Sequence, residues 1–253
     1  DLMGMDVLTR QDSITVENLY IEYKSMKAFS IQKNLFRFWK QKNESFQAVK
    51  GVSFSVKEGE IIGIIGRNGS GKSTMLKAIA GVFCPDKGKI DLHGHSVSLL
   101  SLGVGFQVEM TGRENIMLSG MLMGFSEEFV REKIPEIVEF ADLGEFIDYP
   151  VKTYSSGMFS KLGFAITVVL ETDIFLIDEV LSVGDEQFQR KSFNKMQSLI
   201  NSKDRTVVIV SHDIEALKSL CDRVIWMHEG RLMKIGDTED VLMEYIEYMH
   251  QEE

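Results

Sequence analysis

Cysteine, proline and tryptophan are scarce in this 253-residue chain, at two, three and two residues. Two cysteines, Cys84 and Cys221, cannot build a multi-bridge scaffold or a four-thiolate zinc site. They read as small buried side chains in a reducing cytoplasm, with a pair between them as the second option. The three prolines (Pro85, Pro135, Pro150) leave no room for a proline-rich linker, and no repeat or low-complexity stretch is present. One continuous multi-lobed unit is therefore expected. No apolar run approaches the ~18–20 residues that cross a bilayer. The longest, residues 61–65 and 164–170, are the length of a core strand or helix. No basic-then-apolar leader is seen, and residues 1–4 are expected to be a non-native extension before a start at Met5. Positive charge is short as well. With 28 basic and 38 acidic residues the formal net charge is −10, so a global nucleic-acid footprint is absent and no nucleic-acid partner is expected.

What is present describes an ordinary globular protein, 44% hydrophobic and 26% charged. Residues 14–23 and 47–65 alternate or run apolar with β-branched side chains, which predicts strands, with 61–65 a short buried one. Helical spacing follows over 73–83, 126–146 and 157–170. Nearly continuous apolar runs at 174–177 and 207–210 predict parallel strands buried on both faces. A last helix is predicted over 239–249, capped by Thr238. The pattern is α/β with a helical insertion.

Between the 61–65 strand and the next helix lies Gly66-Arg67-Asn68-Gly69-Ser70-Gly71-Lys72-Ser73, which fits G-x-x-x-x-G-K-[ST]. Glycines let the backbone wrap a phosphate and aim N–H groups inward, and the following helix adds its positive end. Lys72 can reach the β- and γ-phosphates, and the Ser73 hydroxyl can ligate Mg²⁺. Asp178-Glu179 ends a buried strand. Asp178 can hold Mg²⁺ through water, and Glu179 can act as general base on an attacking water. His212 ends the 207–210 strand in the same way and can hydrogen-bond the γ-phosphate.

This ordered set resembles the ATP-binding cassette (ABC) ATPases over about residues 14–233. Tyr154-Ser155-Ser156-Gly157-Met158 resembles their signature motif, Ser182-Val183-Gly184-Asp185 their D-loop, and Gln107 their Q-loop glutamine. His212 matches the switch histidine, and Tyr23 the aromatic that stacks on adenine. By itself, Tyr154 to Met158 would equally read as a helix cap. Ser156 stands in place of a glycine and Met158 in place of a glutamine, whereas Ser155 and Gly157 are kept. Gly105-Phe106, Thr111-Gly112-Arg113-Glu114-Asn115 and Val183-Gly184-Asp185 are similar to the subfamily exporting lipid-linked O-antigen, teichoic acid or related glycans. Val108 departs from that subfamily's usual proline.

The resemblance implies a P-loop NTPase fold: a RecA-like core, an antiparallel β subdomain and a helical subdomain at about 107–165. The cassette would span 14–236, after an extension at 1–13 and before a C-terminal helix at 237–253. It implies ATP and Mg²⁺ as ligands, with Lys72, Glu179 and His212 catalytic. Tyr23, Gly66, Asn68, Gly69, Ser70, Gly71, Lys72, Ser73, Thr74, Ser155, Ser156, Gly157 and Asp185 would bind nucleotide. Ser73, Gln107 and Asp178 would organise the metal. Two copies would sandwich ATP head to tail, joined to an integral membrane permease at the cytoplasmic face of a bacterial inner membrane, with lipid-linked polysaccharide as cargo. A soluble non-transport ABC ATPase, or one serving another substrate, is the alternative. A C-terminal carbohydrate-binding domain, carried by some of these exporters, is expected to be missing or removed.

Two features lie outside the motif set. If residues 31–40 are helical, Ile31, Leu35, Phe38 and Trp39 share one face and Lys33, Arg37 and Lys40 the other. That suits a membrane interface or a loop packed on the domain. His93-Gly94-His95 reads better as a turn between two strand signals than as a metal pair.

Overall fold

The computed structural model describes residues 10–24, 45–100, 105–178, 185–201 and 204–251. Two sheets carry the fold. The first is antiparallel and orders β2 (Ser45–Lys57), β1 (Asp12–Lys24) and β4 (Lys87–Asp91). The second has six strands: β5 (Val97–Leu100), β6 (Ile174–Asp178), β7 (Thr206–Val210), β3 (Ile61–Ile65), β8 (Arg223–His228) and β9 (Arg231–Asp237) in spatial order. Its first five strands are parallel, and β9 closes the edge antiparallel to β8.

The continuous apolar runs are explained by cover on both sides. Alternate residues of β3, β6 and β7 enter two separate cores. Ile62, Ile64, Leu176, Val208 and Val210 join one, with α1 (Lys72–Ile79) and the inner face of the antiparallel sheet. Ile61, Ile65, Phe175, Ile177, Val207 and Ile209 join the other. That second core takes in α3 (Glu127–Ala141), α4 (Ser156–Leu170), α5 (Glu186–Asn201) and α7 (Thr238–Gln251). Two further helices, α2 (Gly112–Leu122) and α6 (Ile214–Leu220), complete the set among the described residues. Helix α4 is nearly all apolar after its first two turns, and residues 162–170 are all buried. It is the central support of the helical region, with α2 and α3 packed against it.

Several sequence expectations shift. The helix expected over 126–146 stops at Ala141, because Asp142 adopts a left-handed φ of 51° and a 3-10 turn, Gly144–Asp148, follows. The helix expected over 73–83 ends at Ile79. Thr238 does not cap α7. It is the first helical residue, and its hydroxyl donates to the Cys221 carbonyl, while Asp237 Oδ1 accepts from Glu239 N–H. Cys84 is exposed rather than buried. Cys221 is half-buried, its thiol pushed up to about 12 by burial, and neither cysteine is in a disulfide. His93 and His95 sit in the link from β4 to β5, where the chain changes sheets. His93 meets Thr15 Oγ1 at 2.8 Å and His95 meets Glu58 at 3.2 Å. The aromatic-basic stretch at 31–40 lies outside the described residues.

Glu60, at the entry to β3, is a buried charge that joins these parts. Its Oε2 accepts from Lys57 N–H at 2.7 Å and its Oε1 from the Arg223 guanidinium at 2.9 Å, so the β2–β3 turn is tied to β8. Replacing Glu60 with alanine strands a backbone donor and a guanidinium. Glu60→Ala should lower the unfolding free energy by about 2 kcal/mol in urea denaturation; a loss under about 0.5 kcal/mol would show that the carboxylate is not a structural tie.

Candidate functional site

Strand β3 delivers the chain into the phosphate loop, and α1 receives it at Lys72. The loop is pressed against neighbouring backbone. A β-carbon on Gly66 would lie 2.1 Å from the Met227 carbonyl oxygen, and one on Gly71 2.2 Å from that of Ala48. Gly71 also has a φ of 97°, a conformation that side chains resist. Gly230 N–H donates to the Ser70 carbonyl and Lys50 N–H to that of Gly230, so the β8–β9 turn bridges loop and antiparallel sheet. The first intrahelical bond of α1 runs from Met75 to Gly71. The N–H groups of Lys72, Ser73 and Thr74 thus precede the ladder at the positive end of the helix.

The Lys72 side chain is buried and folded onto the loop, donating to the carbonyls of Gly66 at 2.7 Å and Arg67 at 3.0 Å. Burial draws its ammonium below the ordinary lysine value, partly opposed by the Asp178 carboxylate. Ser70 Oγ is buried without a hydrogen-bond partner. A glycine-rich turn with one lysine ammonium and the positive end of α1 beside it fits an anionic ligand such as a phosphate chain.

Asp178 stands at the end of β6, in register with Val210 of β7, which in turn pairs Ile64 of β3. Three adjacent parallel strands therefore end together, the usual location of α/β sites. Ser73 Oγ donates to Asp178 Oδ1 at 2.9 Å, although 105 residues separate them. A hydroxyl and a carboxylate oxygen so placed are hard donors suited to a hard divalent cation. His212 follows β7 and is exposed. Its pKa is lowered by partial burial first and by the Lys72 ammonium second. Glu179 lies outside the described residues, as do Ser182, Val183 and Gly184.

Tyr23, next to the last residue of β1, lies beside this loop, its hydroxyl 3.3 Å from Thr74 Oγ1 and its ring edge-to-face with Phe83. Phe46, opposite Tyr23 on β2, lines the roughly 170 Å³ cavity of the loop with Asn68, Gly69, Lys72 and Thr74. Sequence reasoning missed Phe46. Only its pairing with Tyr23 across the sheet brings it to the loop.

Ser155, Ser156, Gly157 and Asp185 are not part of that cavity. They line a second one of about 580 Å³ at the start of α4, which shares no lining residue with the first. Ser155 is the N-cap of α4 and accepts from Met158 N–H at 3.2 Å, so the helix-cap reading describes its role within the chain. A β-carbon on Gly157 would meet nothing closer than Ser155 Oγ at 3.9 Å, so internal packing does not require this glycine. Asp185 is occupied at both oxygens. One accepts from Phe188 N–H to start α5, and the other pairs with Lys161 of α4 at 2.5 Å.

Gln107 is exposed, and its peptide is held by fully buried Asn115. The Asn115 amide accepts from Gln107 N–H at 2.7 Å and donates to the Gln107 carbonyl at 3.0 Å. Thr111 and Glu114 form a capping box that starts α2 and thereby places Asn115. The Thr111-to-Asn115 stretch thus acts as a clamp on Gln107.

The electrostatics give a direct test. Since His212 is shifted down, its ring stays neutral to more acidic pH than an ordinary histidine. Lys72→Met should raise its midpoint in an NMR titration, though not fully, because burial remains. An unmoved midpoint would deny the link between the two side chains.

The "ABC transporter" family model matches residues 49–182. The chain is 44% identical over 237 residues to the teichoic acids export ATP-binding protein TagH of Bacillus anthracis, covering 93% of this chain and 43% of that protein. It is also 44% identical over 208 residues to the O-antigen export system ATP-binding protein RfbB of Klebsiella pneumoniae, covering 82% of this chain and 84% of that one. Against the Bacillus and Enterococcus TagH proteins it spans less than half their length. Among solved structures, an ATP-binding subunit of an ABC transporter superposes with a TM-score of 0.68 at 22% identity, over 92% of each chain. A dimeric ATP-binding cassette in a post-hydrolysis state with ADP and Pi gives 0.66 at 22% identity, over 89% of this chain and 98% of that one. The fold is that of an ABC cassette, and the chain belongs to the ABC transporter family.

Proposed function

We propose that this chain is the ATP-binding and ATP-hydrolysing subunit of a bacterial exporter of lipid-linked polysaccharide, such as O-antigen or teichoic acid. The observation that carries the reading is the junction of Lys72, Ser73 and Asp178 where β3 and β6 end. The export-system names of its relatives supply the cargo class.

In this reading the loop amides and Lys72 hold the phosphates of ATP, and Tyr23 meets the adenine. Lys72 leaves the carbonyls of Gly66 and Arg67 to do so, exchanging two neutral acceptors for charged oxygens. Ser73 and Asp178, with Gln107, would hold Mg²⁺, which would supply neutralisation of the phosphate charge. Glu179 takes a proton from the attacking water, and neutral His212 donates an N–H bond toward the γ-phosphate oxygens. Ser155, Ser156 and Gly157 complete the site of a second copy arranged head to tail. That the two cavities share no lining residue within one chain supports that assignment.

The export-system names of its relatives support an integral membrane permease as the partner of this motor, and no helix among the described residues is long and apolar enough to span a bilayer. An apolar groove of about 320 Å³, lined by Val82, Leu99, Phe106, Leu122 and Met123, suits a short helix of a permease on the cytoplasmic face. Two cassettes and two permease subunits would form the exporter, with residues 14–236 as the cassette and about 107–165 as its helical subdomain.

Glu179→Gln should retain ATP binding, cut turnover by at least about a hundredfold, and yield a dimer on size-exclusion chromatography with ATP but not without it. Lys72→Ala should abolish both dimerisation and turnover. A Glu179→Gln variant that hydrolyses ATP at the parental rate would remove that residue from the mechanism.

A further inference from the structure

We propose that Phe46 is a second base-stacking residue, forming with Tyr23 an aromatic seat for the purine of the bound nucleotide. The inference rests on the ATP-site reading above and adds what grips the base. Phe46 is 60% exposed, the most exposed aromatic ring among the described residues. An apolar ring left this open on a strand end is costly to hydrate and suits a ligand or partner that covers it.

Its position favours the nucleotide. Phe46 pairs directly with Tyr23 across β1 and β2, and directly opposed residues share one face of a sheet. It lines the same cavity as Asn68, Lys72, Ser73 and Thr74, so its ring lies at the rim of the phosphate loop. From the other strand, Tyr23 reaches the same rim, its hydroxyl near Thr74 Oγ1. Two residues after Phe46, the Ala48 carbonyl abuts Gly71 and Gly230, which fixes the end of β2 to the loop itself. Ring and phosphate cradle are therefore parts of one rigid piece. With phosphates seated at the α1 N-terminus, this rim offers the base an apolar surface next to the cradle. A flat apolar ring there offers stacking, which is tolerant of base identity because it reads a π-face and no edge.

The distinguishing experiment is calorimetric binding of ATP, GTP and inorganic tripolyphosphate, each with Mg²⁺, to the full chain. Phe46→Ala should weaken ATP and GTP in parallel by roughly tenfold and leave tripolyphosphate unchanged. Phe46→Leu, which keeps apolar bulk without a π-face, should behave like the alanine variant. Phe46→Trp should restore affinity, with its fluorescence quenched on adding ATP. Parental ATP affinity in Phe46→Ala would overturn the proposal, and so would an equal loss of tripolyphosphate, which would place the effect on the loop. A parental protein that binds none of the three ligands would instead remove the nucleotide site, and this inference with it.

Discussion

The phosphate loop depends on two places where backbone meets backbone with no space for a side chain. Gly66 lies against the Met227 carbonyl and Gly71 against that of Ala48. Any β-carbon there would collide with a main-chain oxygen, which cannot rotate away as a side chain can. The loop is thus clamped between β8 of the core sheet and β2 of the antiparallel sheet. Hydrogen bonds through Gly230 continue the clamp, linking Ser70 on one side to Lys50 on the other. A phosphate cradle needs amides fixed in direction before the ligand arrives, since preorganised dipoles cost no reorganisation when charge is bound.

From that anchor, the arrangement spreads along two routes. One passes through the parallel strands, whose shared end brings Asp178 to Ser73 and places His212 near enough to feel Lys72. The other passes through α4. Its buried half is held by both α3 and α5, and its exposed N-terminus presents Ser155 and Ser156. Lys161 joins this helix to Asp185 while lying 5.1 Å over the Phe188 ring, which itself packs against Phe140 and Phe164. Asp185, just before α5, is thereby fastened to the helix that Ser155 caps. An aromatic cluster with a cation above it makes a stiff joint between α3, α4 and α5.

Motifs with strong local constraints were legible before any coordinates. The strand at 61–65 and the helix that becomes α4 follow from runs of apolar residues, and the G-x-x-x-x-G-K-[ST] spacing from the chemistry of a phosphate. Other parts were passed over. Helix α5 is amphipathic through Phe188, Met196, Leu199 and Ile200, but these are spread among polar residues, and β8 carries a four-residue apolar run, Val224 to Met227, too short for its period to separate strand from helix. Asn115 looked like one letter of a subfamily resemblance, and proved to be a buried clamp with four hydrogen bonds. Thr238 is a residue type that favours caps, but Asp237 Oδ1 accepts from Glu239 N–H and the Thr238 hydroxyl donates to the Cys221 carbonyl instead.

By itself, the sequence determined the class of chemistry: glycine spacing, a lysine and a hydroxyl in order, and carboxylates at the end of a buried strand. Those are local requirements, satisfied within a few consecutive residues. Tertiary structure alone decided which distant residues share a site. It joined Ser73 to Asp178, set Phe46 opposite Tyr23, and assigned the signature residues to a separate cavity. These outcomes depend on strand order and cross-strand register, which arise from packing many elements at once and so leave no mark at any single position.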